Sequence, residues 1–101
     1  MHTRTKKVAI PRKVREAVEK RDKYRCIFCG SIHARGEAHI INRSQGGLGV
    51  EQNIVTVCPK CHFQMDNGQA SKLFKEKAMN YVKGIYKDLD EKDLIYDKWR
   101  L

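Results

Sequence analysis

Apolar residues recur at helical spacing in two parts of the chain. Residues 11–22 would place an apolar stripe on one helix face, and Pro11 stands where proline suits the first helical turn. In the last third, apolar residues recur at steps of three and four, at Leu73, Phe74, Ala78, Tyr81, Val82, Ile85, Tyr86 and Leu89. The pattern predicts a helix over residues 11–22 and an amphipathic C-terminal helix. The second stripe is expected to pack on the rest of the chain, with a dimer interface as the alternative.

Between these helices the pattern changes to short apolar runs. Residues 36–41 (GEAHII) predict a strand, residues 42–50 (NRSQGGLGV) predict a loop because turn-forming residues dominate them, and residues 55–57 predict a second strand. Cys58 then begins a helix, with Pro59 in its first turn. The predicted fold class is therefore α+β: a small ββα unit flanked by an N-terminal basic helix and a C-terminal amphipathic helix.

The length of 101 residues predicts a single domain. We divide it into a basic arm, a basic helix, a ββα core and a C-terminal helical extension, at residues 1–10, 11–22, 23–68 and 69–101. Within the arm, residues 1–9 are expected to be disordered. No apolar run approaches the roughly 20 residues that span a bilayer. The N-terminus lacks the apolar middle of a signal peptide. We expect an intracellular protein with no membrane partner.

The net charge is +9, and most of it lies in the first quarter of the chain. Residues 1–25 hold 10 basic and 3 acidic side chains, whereas residues 26–70 hold 3 of each. Clustered Lys and Arg attract the phosphate backbone of nucleic acids without reading sequence. The charge favours a nucleic-acid partner, although many small proteins are basic without having one.

All four cysteines belong to two C-x-x-C pairs: Cys26, Cys29, Cys58 and Cys61. Disulfides are normally kept reduced inside cells, and two such pairs match the spacing of a tetrahedral thiolate site. A core of this size is commonly supplemented by a structural metal. The sequence predicts one structural Zn²⁺, with a redox dithiol as the alternative.

The 28 residues between the two cysteine pairs are more than a plain zinc ribbon needs. The string AHIINRSQGG, followed by Asn53 and by CPKCH, resembles the HNH endonuclease family over about residues 22–67. The resemblance implies a ββα fold that grips a divalent metal, and it implies DNA as the substrate. The compact AHI and SQGG form is most similar to bacteriophage members. By that analogy we expect terminase or other DNA-packaging proteins as partners and the host cytoplasm as the location.

The resemblance assigns a catalytic role to three residues. His39 is expected to be the general base, since a neutral histidine with a reference pKa near 6.5 suits that task at physiological pH. Asn53 is expected to pin the loop and orient His39. His62 is the expected ligand of a catalytic divalent ion, either Mn²⁺, Mg²⁺ or another transition ion.

Asp66 lies four residues beyond His62, so both side chains would project from one helix face and share that ion. The alternative for Asp66 is an ordinary surface carboxylate. One position departs from the family: Ala38 stands where a metal-binding Asp or His is usual. Glu37 and His33 are possible substitutes, although each also fits a surface position.

Five basic residues are predicted to contact DNA phosphates: Arg35, Arg43, Lys6, Lys7 and Arg12. Plain solvent exposure is the alternative for each of them. The leading function is a metal-dependent endonuclease that hydrolyses DNA phosphodiester bonds and needs no organic cofactor. The alternative is a non-catalytic zinc module that binds nucleic acid or docks in a packaging complex.

Overall fold

The computed structural model describes residues 7–96 and contains the predicted order of helix, strand, strand, helix and helix. The elements are α1 (Arg12–Arg21), β1 (Arg35–His39), β2 (Ile54–Val57), α2 (Pro59–Asn67) and α3 (Ser71–Ile85), with 3₁₀ turns at Arg43–Gln45, Glu51–Asn53 and Glu91–Leu94. The predicted α+β class is confirmed. Within residues 7–96, no helix is long and apolar enough to cross a membrane.

Local chemistry explains where the helices begin and end. Pro11 precedes α1 in an extended conformation, and the helix stops before Lys23 and Tyr24, which both have positive φ. Because left-handed backbone interrupts a helix, these two residues turn the chain into the first cysteine pair. At the other pair, the Cys58 side chain caps α2 by accepting a hydrogen bond from the N–H of Cys61. Both helix boundaries therefore lead directly into the cysteine site.

The two strands form an antiparallel sheet with Ala38 opposite Val55 and His39 opposite Ile54. The register is irregular between Arg35 and Ala38. Every residue of β2 is buried. Helix α1 packs against both strands, and β2 shares one core cluster with residues of α2 and α3. The sheet thus lies in the core, and β1 carries His39 to its edge.

The C-terminal helix packs back on the ββα unit, as predicted, and it does so through most of the predicted stripe, with Phe74 and Tyr81 partly buried against the core. Its buried residues are Ala78, Met79 and Val82. Leu73 and Ile85, which the apolar pattern places in the stripe, are 51% and 42% exposed. The helix ends at Ile85, so Tyr86 and Leu89 of the predicted stripe lie beyond it. Met79, which is buried although the stripe did not include it, lies three residues before Val82 and so fits the same helical spacing.

A buried ion pair ties α1 to the rest of the core. The Arg21 guanidinium lies 2.8 Å from the Asp22 carboxylate, and the Asp22 side chain has no exposed surface. That carboxylate also accepts hydrogen bonds from the Thr56 N–H at 2.9 Å and the Tyr81 hydroxyl at 2.6 Å. Arg21 in turn donates to the Ile54 carbonyl at 2.8 Å. Arg21 and Asp22 together thus join α1, β2 and α3.

We expect Asp22→Asn to lower the free energy of unfolding by about 3–5 kcal/mol, the usual cost of leaving one partner of a buried ion pair unmatched. Urea unfolding of the zinc-loaded protein measures this. Glu16→Gln is the matched control, because Glu16 pairs with Arg12 at the surface. Equal urea midpoints of unfolding for the two variants would contradict the proposed contribution of the Asp22 network to stability.

Candidate functional site

The four cysteines converge as the spacing predicts. Their Sγ atoms all lie within 4.8 Å of one another, and the Sγ atoms of Cys29 and Cys58 are 3.6 Å apart. A tetrahedral zinc–thiolate site with bonds of about 2.3 Å has sulfur–sulfur edges of about 3.8 Å. All four cysteines are free thiols. The cluster therefore fits a single metal ion such as zinc.

Backbone groups around the cluster favour thiolates. Burial by itself would raise the pKa of Cys26, but backbone N–H groups, chiefly that of Cys29, outweigh it and lower that pKa to about 7. Burial raises the pKa of Cys61 above its usual range, and the neighbouring sulfurs add to the effect. Four sulfurs this close cannot all be anionic without a cation between them. The chemistry of the donor set thus agrees with its geometry.

His39, at the end of β1, is buried, and its ring is held from outside the strand. Its Nε2 donates a hydrogen bond to the Val8 carbonyl at 2.8 Å. Since a carbonyl can only accept, the proton of the neutral ring is on Nε2, and Nδ1 keeps the lone pair. Burial lowers the pKa of His39, and the charges of Arg43 and Lys75 lower it further, against the opposing Val8 bond. His39 is therefore a neutral imidazole with a defined tautomer.

The segment that supplies this carbonyl was expected to be part of a disordered arm. Val8 is instead 5% exposed, and the Lys7 carbonyl accepts a hydrogen bond from the Gly49 N–H at 3.1 Å. A Cβ at Gly49 would lie 1.9 Å from the Ala9 carbonyl oxygen, so only glycine lets the chain pass so closely. The disorder predicted for residues 1–9 is wrong for residues 7–9. Residues 1–6 lie outside the described residues.

Asn53 joins the two ends of the loop between the strands. Its side-chain oxygen accepts from the Ile41 N–H at 2.9 Å, and its amide donates to the carbonyls of Ile41 and Leu48 at 3.2 and 2.9 Å. Its own carbonyl accepts from the Ile40 N–H at 2.8 Å. The backbone of Ile41 thus bonds the Asn53 side chain and not a strand partner, and β1 ends at His39 and not at residue 41. Asn53 is fully buried, which matches the loop-pinning part of its predicted role.

His62 and Asp66 face each other on α2, as their spacing predicts. The His62 Nε2 lies 3.1 Å from one Asp66 oxygen, and each side chain is a little over one-third exposed. Two atoms so placed can bind the same ion from one side. Among residues 7–96, no group of three or more His, Cys, Asp or Glu beyond the four cysteines is close enough to hold a metal. A second ion would therefore have two protein ligands here and would take its others from water.

Lys75 is a residue of this site that the sequence analysis did not single out. Its ammonium donates to the His39 carbonyl at 2.9 Å, to the Asn42 side-chain oxygen, and to Asp66 at 3.3 Å. Burial lowers the pKa of Lys75, while the Asp66 charge works in the opposite direction. A lysine in an amphipathic helix gives no sequence signal of such a position.

The structure shows where Ala38 and the residues suggested to replace it as a metal ligand lie. Ala38 is fully buried in the core cluster. Glu37, one suggested substitute ligand, faces Arg15 and Arg35 at 3.4 and 3.9 Å. Together with His33 and His62, it lines an open groove of about 460 Å³. The structure thus brings Glu37 and His33 to the same groove as His62 without bringing the three together as a metal site.

The residues predicted to bind phosphate lie in different surroundings. Arg43 is exposed and close enough to His39 to lower its pKa. Arg35 lines the His62 groove, and Arg12 lies on α1 paired with Glu16. Lys7 is exposed next to Val8, and Lys6 lies outside the described residues. Their contact with DNA stays a prediction.

An antiparallel strand pair followed by a helix, anchored by four cysteines and presenting His39 and His62, defines a ββα metal-binding module. The sequence model described as HNH endonuclease matches residues 26–68. The chain is also similar to Anaredoxin from Nostoc sp. (strain PCC 7120 / SAG 25.82 / UTEX 2576), with 32% identity over 59 residues that cover 57% of this chain and 78% of that protein. The chain belongs to the HNH endonuclease family, as the resemblance indicated. No solved structure matches it.

Proposed function

We propose that this protein is a metal-dependent endonuclease that hydrolyses phosphodiester bonds in DNA. The observation that carries the proposal is His39: a neutral, buried imidazole whose Nε2–H is committed to the Val8 carbonyl and whose Nδ1 keeps the lone pair. This is the state a general base needs at physiological pH.

In the proposed reaction, Nδ1 of His39 accepts a proton from the attacking water. The Val8 carbonyl holds the ring in place during this transfer and stabilises the positive charge that develops on it. Asn53 keeps the loop closed through bonds to Ile41 and Leu48, so the end of β1 cannot shift away. The chain thus supplies an oriented base on a rigid support.

His62 and Asp66 would hold the catalytic ion on the exposed side of α2. A divalent ion there would neutralise charge on the scissile phosphate and on the leaving oxygen. In this proposal, Arg43, beside His39, and Arg35, along the groove, would bind the flanking phosphates. The DNA backbone would therefore run across the ends of β1 and α2.

A second function is favoured by one specific observation. In residues 7–96 the candidate catalytic ion has two protein ligands, and the family's usual third ligand is replaced by Ala38. A module that binds nucleic acid through its charge and keeps only its structural metal would look the same. The predicted bacteriophage origin and packaging partners rest on the resemblance alone.

A plasmid assay separates the two functions. The endonuclease should convert supercoiled plasmid to nicked or linear DNA when Mn²⁺ or Mg²⁺ is added, and should stop when the added ion is removed by gel filtration. The zinc content is measured before and after, so that loss of the structural ion is not mistaken for loss of the catalytic one. DNA binding without metal-dependent strand breaks would favour the non-catalytic module.

The packing of Val8 changes what a truncation should do. Deleting residues 1–6 removes Arg4 and Lys6, so the slope of log binding constant against log salt should fall by up to about 1.8 while cleavage of saturating DNA persists. Deleting residues 1–9 removes the Val8 carbonyl as well and should abolish cleavage. Fluorescence anisotropy and single-turnover cleavage measure the two effects. Equal cleavage by both truncations would show that Val8 does not orient His39.

A further inference from the structure

Lys75 connects the two candidate catalytic histidines. Its ammonium bonds the backbone carbonyl of His39 on β1 and the carboxylate of Asp66 on α2, and the other Asp66 oxygen faces His62. The side chain is 19% exposed, far less than an ordinary helix-surface lysine. Lys75 itself lies on α3, beyond the segment matched by the family's sequence model. Lys75 therefore reaches the candidate site from outside the matched segment.

The three bonds of the ammonium are not equivalent. The bond to the His39 carbonyl is 2.9 Å and the bond to the Asn42 side chain is also close, whereas the contact with Asp66 is the longest at 3.3 Å. An ammonium has three donors, so the first two bonds can remain when the third is given up. The donor released in this way would point to the region between His39 and Asp66.

A divalent ion at His62 and Asp66 would compete with this contact. Asp66 has a single negative charge to share, and an ammonium within hydrogen-bond distance repels a second cation that approaches the same carboxylate. A DNA phosphate brings further negative charge. A phosphate oxygen would replace Asp66 as an acceptor of the Lys75 ammonium, and the Asp66 carboxylate would then be left to bind the metal.

We propose that Lys75 is a positioning residue that couples metal binding to DNA binding: it holds Asp66 in the free protein and transfers one hydrogen bond to a phosphate oxygen when a divalent ion occupies His62 and Asp66. This inference rests on the proposed endonuclease function for the identity of the phosphate. Competition at Asp66 requires only the contacts of the free protein. Coupling of this kind is reciprocal, so the metal should tighten DNA binding by the same factor as DNA tightens metal binding.

The competition is tested with the zinc-loaded full chain, in which the cysteines are occupied, by titration with Mn²⁺ followed by electron paramagnetic resonance. Lys75→Met should bind Mn²⁺ about tenfold more tightly than the unaltered protein. Lys77→Met is the matched control, since it removes the same charge from an exposed position two residues along α3 and should leave the affinity unchanged. Asp66→Asn should lose most of the binding. Zinc content and circular dichroism establish that each variant is folded.

The transfer to phosphate is tested by repeating the titration with a short DNA duplex, after subtracting Mn²⁺ bound by the duplex alone. A His39→Ala background prevents cleavage and keeps the backbone carbonyl that Lys75 contacts. The duplex should tighten Mn²⁺ binding about tenfold when Lys75 is present and have little effect in Lys75→Met. Lys75→Arg should retain part of the coupling, because it keeps the charge.

The outcomes separate this inference from the proposed function. Equal Mn²⁺ affinity in Lys75→Met and the unaltered protein, without DNA, would overturn the competition, whatever the protein does to DNA. Equal coupling with and without Lys75 would overturn the transfer to phosphate. Failure to bind any duplex would contradict both the transfer and the endonuclease function, while the titration without DNA would still decide whether Lys75 competes for Asp66.

Discussion

Replacing Cys58 with serine is expected to leave the protein without zinc and largely unfolded. Cys58 is buried among the other cysteines and also caps α2, so its loss affects the metal site and a helix terminus together. Structural zinc in small domains contributes an apparent 10–16 kcal/mol of binding free energy, of about the same size as the whole stability of a small domain. Because the ion binds the folded chain, that energy is folding energy.

Elemental analysis and far-ultraviolet circular dichroism measure this outcome. Leu73→Ser is a suitable control, because Leu73 is half exposed on α3 and its replacement should retain both the zinc and the helix content. A folded Cys58→Ser protein with a full complement of zinc would show that three cysteines suffice. A folded unaltered protein without any metal would overturn the structural role of the ion.

Replacing His39 with alanine is expected to reduce cleavage by about 10²–10⁴-fold, the usual contribution of a general base. The fold should persist, because His39 belongs neither to the cysteine cluster nor to the Asp22 network. Single-turnover cleavage with saturating Mn²⁺ measures the rate, and zinc content shows that the module is intact. His2→Ala is the control for the loss of a histidine. Cleavage by His39→Ala at the unaltered rate would remove His39 from the role of base.

The parts of the fold that sequence predicts well are those with a local signal. The two C-x-x-C pairs, the glycine-rich loop and the proline at the start of α2 each depend on residues that are close together in the chain. Their structural outcome follows from backbone geometry and from the valence of sulfur. The spacing of His62 and Asp66 is equally local, because one helical turn separates them. These predictions agree with the structure.

The groups that complete the site have no such signal. The partner of His39 is a backbone carbonyl, and any residue at position 8 would present one. Lys75 is one of several lysines on α3, and only the packing of that helix against α2 brings it to Asp66. Asp22 follows a run of basic residues and would pass for a surface acid, yet it is buried by contacts from β2 and α3. Each of these depends on tertiary contacts between distant segments.

The groups that hold His39 in place come from two distant segments, Val8 before α1 and Lys75 in α3. During translation, the ribosome makes His39 before it makes Lys75, and at roughly 5–20 residues per second the interval is about two to seven seconds. A nascent chain therefore carries a histidine strand and a cysteine cluster before it carries the lysine at Asp66. The complete arrangement therefore forms only after synthesis has passed α3.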